Sequence, residues 1–240
     1  DFIIYMKNKL YSGKQTISIL ELLSTYRSVL MGVAILWIMF YHAPTIITNP
    51  ILQLIKNRGF IGVDIFLFVS GYGLYHALLK KESIQTFYKK RFWRIFPAFF
   101  IVVTINYILS PHINFTDYLI ELTTLGIWFQ RPFYAWYISI LVLLYALFPF
   151  YMTFFLKKPR LITCITILIC FIISFIYIWI RPTSSIYLIN RIPIFVTGIF
   201  FAYLAKNNAK MTTWKNSVRT SIIFLLLSII LKSLLSRKSG

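Results

Sequence analysis

The sequence predicts an all-α, polytopic transmembrane helix bundle of about seven spans, with its amino terminus in the cytoplasm. Of the 240 residues, 59% are hydrophobic and only 13% are charged, whereas a soluble domain carries about 25% charged residues. The apolar residues recur in runs long enough to cross a hydrocarbon core of about 30 Å. The net charge of +19 comes from cations that cluster between those runs, as topology signals do. The composition therefore excludes a soluble domain and predicts a partner in the lipid bilayer rather than a nucleic acid.

The predicted spans follow a basic, cytoplasmic amino-terminal tail at residues 1–26. The seven runs lie at 28–47, 60–79, 95–110, 133–155, 161–180, 187–205 and 219–236. With the tail inside, most of the 25 Lys and Arg residues fall on the cytoplasmic side. The positive-inside rule therefore favours this orientation.

One further apolar stretch, 118–131, is not predicted to span. It is short, and Glu121 interrupts it. If it crossed the membrane, the later basic clusters would all move to the outer side. We therefore predict an interfacial or re-entrant piece on the outer side.

Two ionisable side chains stand near the predicted outer ends of consecutive spans. Inserting a charged side chain at the centre of a transmembrane helix costs about 2.5–3.5 kcal/mol, so ionisable residues in spans usually have a structural or functional role. His42 lies near the outer end of the first span, and Asp64 lies in the first outer turns of the second. A short loop joins the two spans, so we expect the two side chains to be neighbours. They form either a structural tether between helices or a site in which Asp64 orients His42 as a general base for a hydroxyl.

Arginines mark both sides of the predicted bundle. Arg91 and Arg94 stand three residues apart at the start of the third span and share a helix face. With Arg27, they form either a phosphate-binding mouth on the cytoplasmic side or ordinary topology anchors. Arg191, near the outer end of the sixth span, could pair with Asp64, hold an oxyanion or extend to the interface.

Small residues interrupt the second span at Ser70–Gly73. Its glycines would let another helix or a narrow ligand approach the backbone. Ser70 has no base within its own turn, so a nucleophilic serine is not predicted. No metal-ligand set is predicted either. From the residues alone, the layout suits an enzyme that uses a phosphate-bearing cytosolic donor on an outward acceptor, or equally an anion transporter.

Five stretches resemble segments of the bacterial acyltransferase family 3 membrane proteins. AILWIMFYH resembles the end of that family's first span, GVDIFLFVSGYGL a motif of its second and KKRFWRIFPAFF the entry to its third. AWYISILVLLYALFP and RIPIFVTGIFFA resemble two later segments. The five occur in the family's order, which is more specific than any one of them.

The resemblance implies an O-acyltransferase of the bacterial cytoplasmic membrane. It would move an acyl group, usually acetyl, from acetyl-CoA to a hydroxyl of a cell-surface glycan or a lipid-linked sugar. Acyl-CoA would be a substrate, and no bound cofactor is expected. The competing interpretation is a transporter or exporter of an anionic or glycolipid substrate.

The resemblance also assigns roles. His42 would be the functional histidine, with Asp64 orienting it; Arg91 and Arg94 would hold the CoA phosphates, and the acyl arm would pass Ser70. The arginine that usually precedes that histidine aligns with Met31, and Arg27, one turn earlier, is predicted to replace it. Because the family core has more spans, residues 27–240 are interpreted as an acyltransferase domain that is incomplete at its carboxyl terminus.

Overall fold

The computed structural model describes residues 23, 25–45, 47–80, 83–110, 114–126, 136–180 and 189–207, with side chains at 177–180 excepted. These ranges are helical and contain no strand, which confirms the all-α prediction. Their helices are α1 (Arg27–His42), α2 (Pro50–Asn57), α3 (Ile61–Leu79), α4 (Ile84–Leu109), α5 (Phe115–Leu122), α6 (Trp136–Phe155), α7 (Pro159–Ile180) and α8 (Ile192–Asn207).

Four helical stretches in the described ranges are long and apolar enough to cross a membrane. They are Pro50–Leu79, Ile84–Leu109, Trp136–Phe155 and Pro159–Ile176. The apolar helices α1 and α8 are shorter. They lie where the first and sixth spans were predicted, and the predicted seventh span at 219–236 lies outside the described residues. The chain is a multi-pass membrane protein, and the count of seven stays a prediction.

The third predicted span begins earlier than its apolar run. We expected 95–110, and α4 begins at Ile84. Ser83 starts the helix, since its hydroxyl accepts a hydrogen bond from the Thr86 amide at 3.2 Å. At 1.5 Å per residue, Arg91 and Arg94 stand about 10 and 15 Å inside α4 rather than at its entrance.

The first predicted span ends sooner than its apolar run. We expected 28–47, and α1 stops at His42, just before Pro44. Asn49 then caps the short helix α2 by accepting from the amides of Ile51 and Leu52. The loop between the first two spans thus contains a helix that the hydropathy pattern did not predict.

The short helix α5 occupies the stretch that we did not expect to span. It has eight residues, or about 12 Å, too little to cross a bilayer. Burial raises the pKa of Glu121 in this helix. Residues 127–131 of the predicted segment lie outside the described part.

Helices α3, α6 and α8 carry the innermost side chains. Leu67, Leu74, Ile140, Phe148 and Ile199 are each at most 2% exposed. In the most apolar part of α6, 44% of residues are buried, against 11% in α4 and 17% in α7. Since the exposed residues of α4 and α7 are largely apolar, these two helices present faces suited to lipid.

The contacts within the chain define two units. One comprises residues 31–200, and the other comprises 1–30 with 201–240. Arg27 belongs to the second unit, and every other candidate site residue belongs to the first.

Two glycines let α3 and α8 cross backbone to backbone. A Cβ atom on Gly71 would collide with the carbonyl oxygen of Phe195 and lie 3.3 Å from the Ile199 nitrogen. A Cβ on Gly198 would collide with the carbonyl oxygen of Phe68 and lie 2.9 Å from its carbon. This is the close helix crossing that small residues permit in membranes. Of the two neighbours that the sequence allowed at Gly71, a helix or a narrow ligand, the structure places helix α8 there.

Gly198→Ala is expected to reduce the folded fraction, because the added methyl group meets backbone, which cannot rotate away. Overpacking of this kind costs about 1–3 kcal/mol. The measurement is the yield of monodisperse, detergent-extracted protein together with its melting temperature. Gly32→Ala is the matched control, since a Cβ at Gly32 meets nothing within 4 Å. Equal melting temperatures for the two variants would contradict the close crossing.

Candidate active site

His42 is the last residue of α1 and its side chain is exposed. Its ring contacts the neighbouring Tyr41 edge-on, with 4.9 Å between ring centroids. No hydrogen bond or ion pair joins it to another residue in the described ranges. The imidazole is therefore presented at a helix end with its nitrogens open to a ligand.

The expected hydrogen bond between His42 and Asp64 is not formed. The Asp64 carboxylate instead accepts from Nη1 of Arg191 in an ion pair. A charge-assisted bond to a guanidinium is stronger than one to a neutral imidazole, and a carboxylate shielded from water needs a cation nearby. The sequence had left pairing with Asp64 as one of three alternatives for Arg191, and this is the alternative that the structure contains.

The Arg191–Asp64 pair joins the turn before α8 to the first turns of α3. The two side chains are only 17% and 21% exposed. The guanidinium carbon of Arg191 also lies 5.9 Å from the ring centre of Phe60 and 6.0 Å from that of Trp136. The Arg191 guanidinium is thus restrained by a carboxylate and two aromatic rings, and Asp64 is its ion-pair partner.

Arg91 faces the aromatic residues of α4 and α6. Its guanidinium carbon lies 5.3 Å from the ring centre of Phe87 and 5.8 Å from that of Tyr145. Its Nε is buried and has no hydrogen-bond partner in the described part of the chain. A buried guanidinium N–H without an acceptor is costly, so this position favours an anionic or polar ligand.

Arg94 and Ser70 both lie near the same tyrosine of α6. Ser70 is only 7% exposed and lies beside Tyr137, and Arg94 is close enough to act electrostatically on that tyrosine. Tyr145 stands eight residues after Tyr137, so the two project within about 80° of each other on one side of α6. We call Ser70, Arg91, Arg94, Tyr137 and Tyr145 the arginine–tyrosine cluster.

The two tyrosines of this cluster were not among the residues predicted from the sequence. Both lie in the stretch AWYISILVLLYALFP, and their spacing of eight is a little over two helical turns, which places them within about 80° of each other around the helix. Arg91 and Arg94 were predicted from the sequence at the cytoplasmic mouth and Ser70 further along the predicted path of the acyl arm, and their roles stay predictions. Ser70 is buried among the packed helices.

The family comparison covers nearly all of these residues. Residues 29–238 match a family model described as an acyltransferase domain. The chain belongs to acyltransferase family 3. It is a membrane acyltransferase, and the matched range contains His42, Asp64, Arg191 and the arginine–tyrosine cluster, while Arg27 precedes it. No curated protein and no solved structure matches the chain.

Proposed function

We propose that this membrane acyltransferase moves an acyl group, acetyl in the simplest case, from acyl-CoA to a hydroxyl of a cell-surface glycan or lipid-linked sugar. The protein would lie in the bacterial cytoplasmic membrane, with the start of α4 toward the cytoplasm. The observation that carries it is the environment of Arg91, which has a buried N–H without an acceptor beside a second arginine one turn along the same helix.

The arginine–tyrosine cluster suits the phosphates of coenzyme A. Two rings flank the Arg91 guanidinium, so its orientation is largely set before a ligand arrives and little entropy is lost on binding. Arg94 follows about 4.5 Å further along α4 and supplies a second positive charge. A topology anchor would extend its N–H groups to water or lipid headgroups, whereas Arg91 keeps its Nε buried.

His42 would provide the base for the transfer. As the acceptor hydroxyl attacks the thioester carbonyl, an imidazole nitrogen takes the hydroxyl proton. The tetrahedral intermediate then collapses, the carbon–sulfur bond breaks, and the CoA thiolate receives the proton from the imidazolium. A route in which the acyl group first bonds to His42 and then passes to the acceptor uses the same residue.

Asp64 has a different part in this proposal from the one that the sequence suggested. Because its carboxylate is paired with Arg191, His42 acts without a carboxylate partner. The Arg191–Asp64 pair would hold the start of α3 and the turn before α8 in place around the acceptor side of the site.

Arg91→Ala and Arg94→Ala are each expected to raise the KM for acetyl-CoA by about ten- to a hundred-fold, which corresponds to the loss of a charge-assisted hydrogen bond of about 1.5–3 kcal/mol. Arg91→Lys should fall between wild type and Arg91→Ala, since lysine keeps the charge and loses the planar fork. The measurement is transfer of labelled acetyl from acetyl-CoA to glycan in membranes, with donor concentration varied.

Arg160→Ala serves as the control for this experiment. Arg160 is an exposed cation in the first turn of α7, and its loss removes one positive charge without touching the cluster. An unchanged donor KM in both cluster variants would return Arg91 and Arg94 to topology anchors. Movement of a glycolipid across the membrane without any need for acetyl-CoA would favour the transporter instead.

A further inference from the structure

Lys56 is a charged side chain in an unexpected place. It is 8% exposed, although most of the other side chains of the short helix α2 are exposed. Burying an ammonium group is costly unless partners replace its water. In the sequence, Lys56 lies between the first two predicted spans, where a lysine has no evident partner.

The Lys56 ammonium has three hydrogen-bond partners, all in the segment that follows His42. It donates to the carbonyl oxygens of Ala43 and Thr45, each at 2.7 Å, and lies 3.3 Å from the Thr45 hydroxyl oxygen. An ammonium has three N–H donors and no acceptor, so these contacts use its full capacity. We call this arrangement the Lys56 clasp.

The clasp acts where α1 needs partners. The last carbonyl groups of a helix accept no hydrogen bond from within the helix, and a cation near the carboxyl end of a helix stabilises it through the helix dipole. Lys56 meets the first carbonyl beyond His42 and then that of Thr45. The backbone directly after the imidazole-bearing residue is thereby held in one conformation.

Two further contacts hold the same end of α1 from the other side of His42. The indole Nε1 of Trp37 donates to the carbonyl oxygen of Ile55 at 2.8 Å. At Gly59, a Cβ atom would collide with Cβ of Tyr41 and lie 2.7 Å from the Trp37 carbonyl oxygen. The segment 55–59 therefore contacts α1 before His42, and the Lys56 side chain hydrogen-bonds to the backbone after it.

From this geometry we infer that Lys56 is a positioning residue for His42, an assignment that rests on the proposed function. An exposed imidazole at a helix end would otherwise move with a fraying last turn. A misplacement of about 1 Å can cost about a hundred-fold in rate. Since every N–H of Lys56 is already engaged, the lysine acts through the backbone beside His42 and takes no proton from the substrate.

The test is Lys56→Met, which keeps a long unbranched side chain and removes the ammonium. The kcat for acyl transfer per folded molecule should fall by about ten- to a hundred-fold, while the KM for acetyl-CoA stays at its wild-type value because the arginine–tyrosine cluster is intact. Hydrogen exchange at the Ala43 and Thr45 amides, which donate to the Phe40 and Ala43 carbonyls, should become faster. Lys56→Arg retains the charge and donors and should recover part of the kcat.

Trp37→Phe is the matched control, because it removes the hydrogen bond to Ile55 between the same two helices and leaves the Lys56 clasp. Because it loosens α1 five residues before His42 and leaves the backbone after His42 held, it should lower the melting temperature and reduce kcat less than Lys56→Met does. The inference is overturned if Lys56→Met retains wild-type kcat, if exchange at Ala43 and Thr45 does not change, or if Trp37→Phe loses as much kcat at the same melting temperature. Wild-type protein that transfers no acyl group would overturn the proposed function, and the exchange rates would still report on the clasp.

Discussion

Replacing His42 by alanine is expected to lower acyl transfer by about 10²–10⁴-fold, the usual contribution of a general base. Histidine suits this role because it exchanges a proton near neutral pH. The side chain is exposed and has no hydrogen bond or ion pair in the described ranges, so its removal should change the free energy of unfolding by no more than about 0.5 kcal/mol. The change should therefore appear in kcat and leave the yield of folded protein intact.

The structure sharpens this experiment because it separates the two interpretations of His42. A tether would need the hydrogen bond to Asp64, which is not formed. The measurement is acyl transfer normalised to monodisperse, detergent-extracted protein. His76→Ala is a suitable control, since that half-buried imidazole packs against Tyr72 and Tyr75 and its loss should reduce stability rather than specific activity. Wild-type specific activity in His42→Ala would end the catalytic interpretation.

Hydropathy predicted the helices whose ends coincide with the ends of an apolar run. The second span was expected at 60–79 and α3 covers Ile61–Leu79; the fifth was expected at 161–180 and α7 covers Pro159–Ile180. The start of α4 could not be found in this way. Its first turns are basic and polar. They are helical because Ser83 caps them and because the Phe87 ring stacks on that of Phe148 in α6, with 5.7 Å between the ring centroids.

The candidate site was predictable in its residue types but less so in their pairing. Loop length alone placed Asp64 beside His42, yet its partner is Arg191, 127 residues away in sequence. Long-range ion pairs depend on how helices pack, and the spacing of residues along one or two spans carries no information about that. The role of Lys56 could not be predicted either, because a lysine between two spans is interpreted as a topology signal until its contacts are known.

Breaking the Arg191–Asp64 pair is expected to have the second large effect, this time on stability. Removing one partner of a fully buried ion pair leaves an uncompensated charge and costs about 3–5 kcal/mol, and this pair, whose side chains are 17% and 21% exposed, should lose somewhat less. Asp64→Asn would leave the guanidinium between Phe60 and Trp136 without its carboxylate, and Arg191→Met would leave the carboxylate without its cation. Both single variants should therefore show a lower melting temperature and less extractable folded protein.

The double variant Asp64→Asn/Arg191→Met decides whether the two residues act as a pair. Without an unpaired charge, it should be more stable than either single variant, and the coupling is read from the double-mutant cycle. Acyl transfer per folded molecule completes the experiment. If Asp64→Asn keeps its stability and loses activity, Asp64 acts in the reaction as the sequence suggested, and its pairing with Arg191 is secondary. Additive losses in the double variant would mean that the ion pair contributes nothing of its own to holding α3 to the turn before α8.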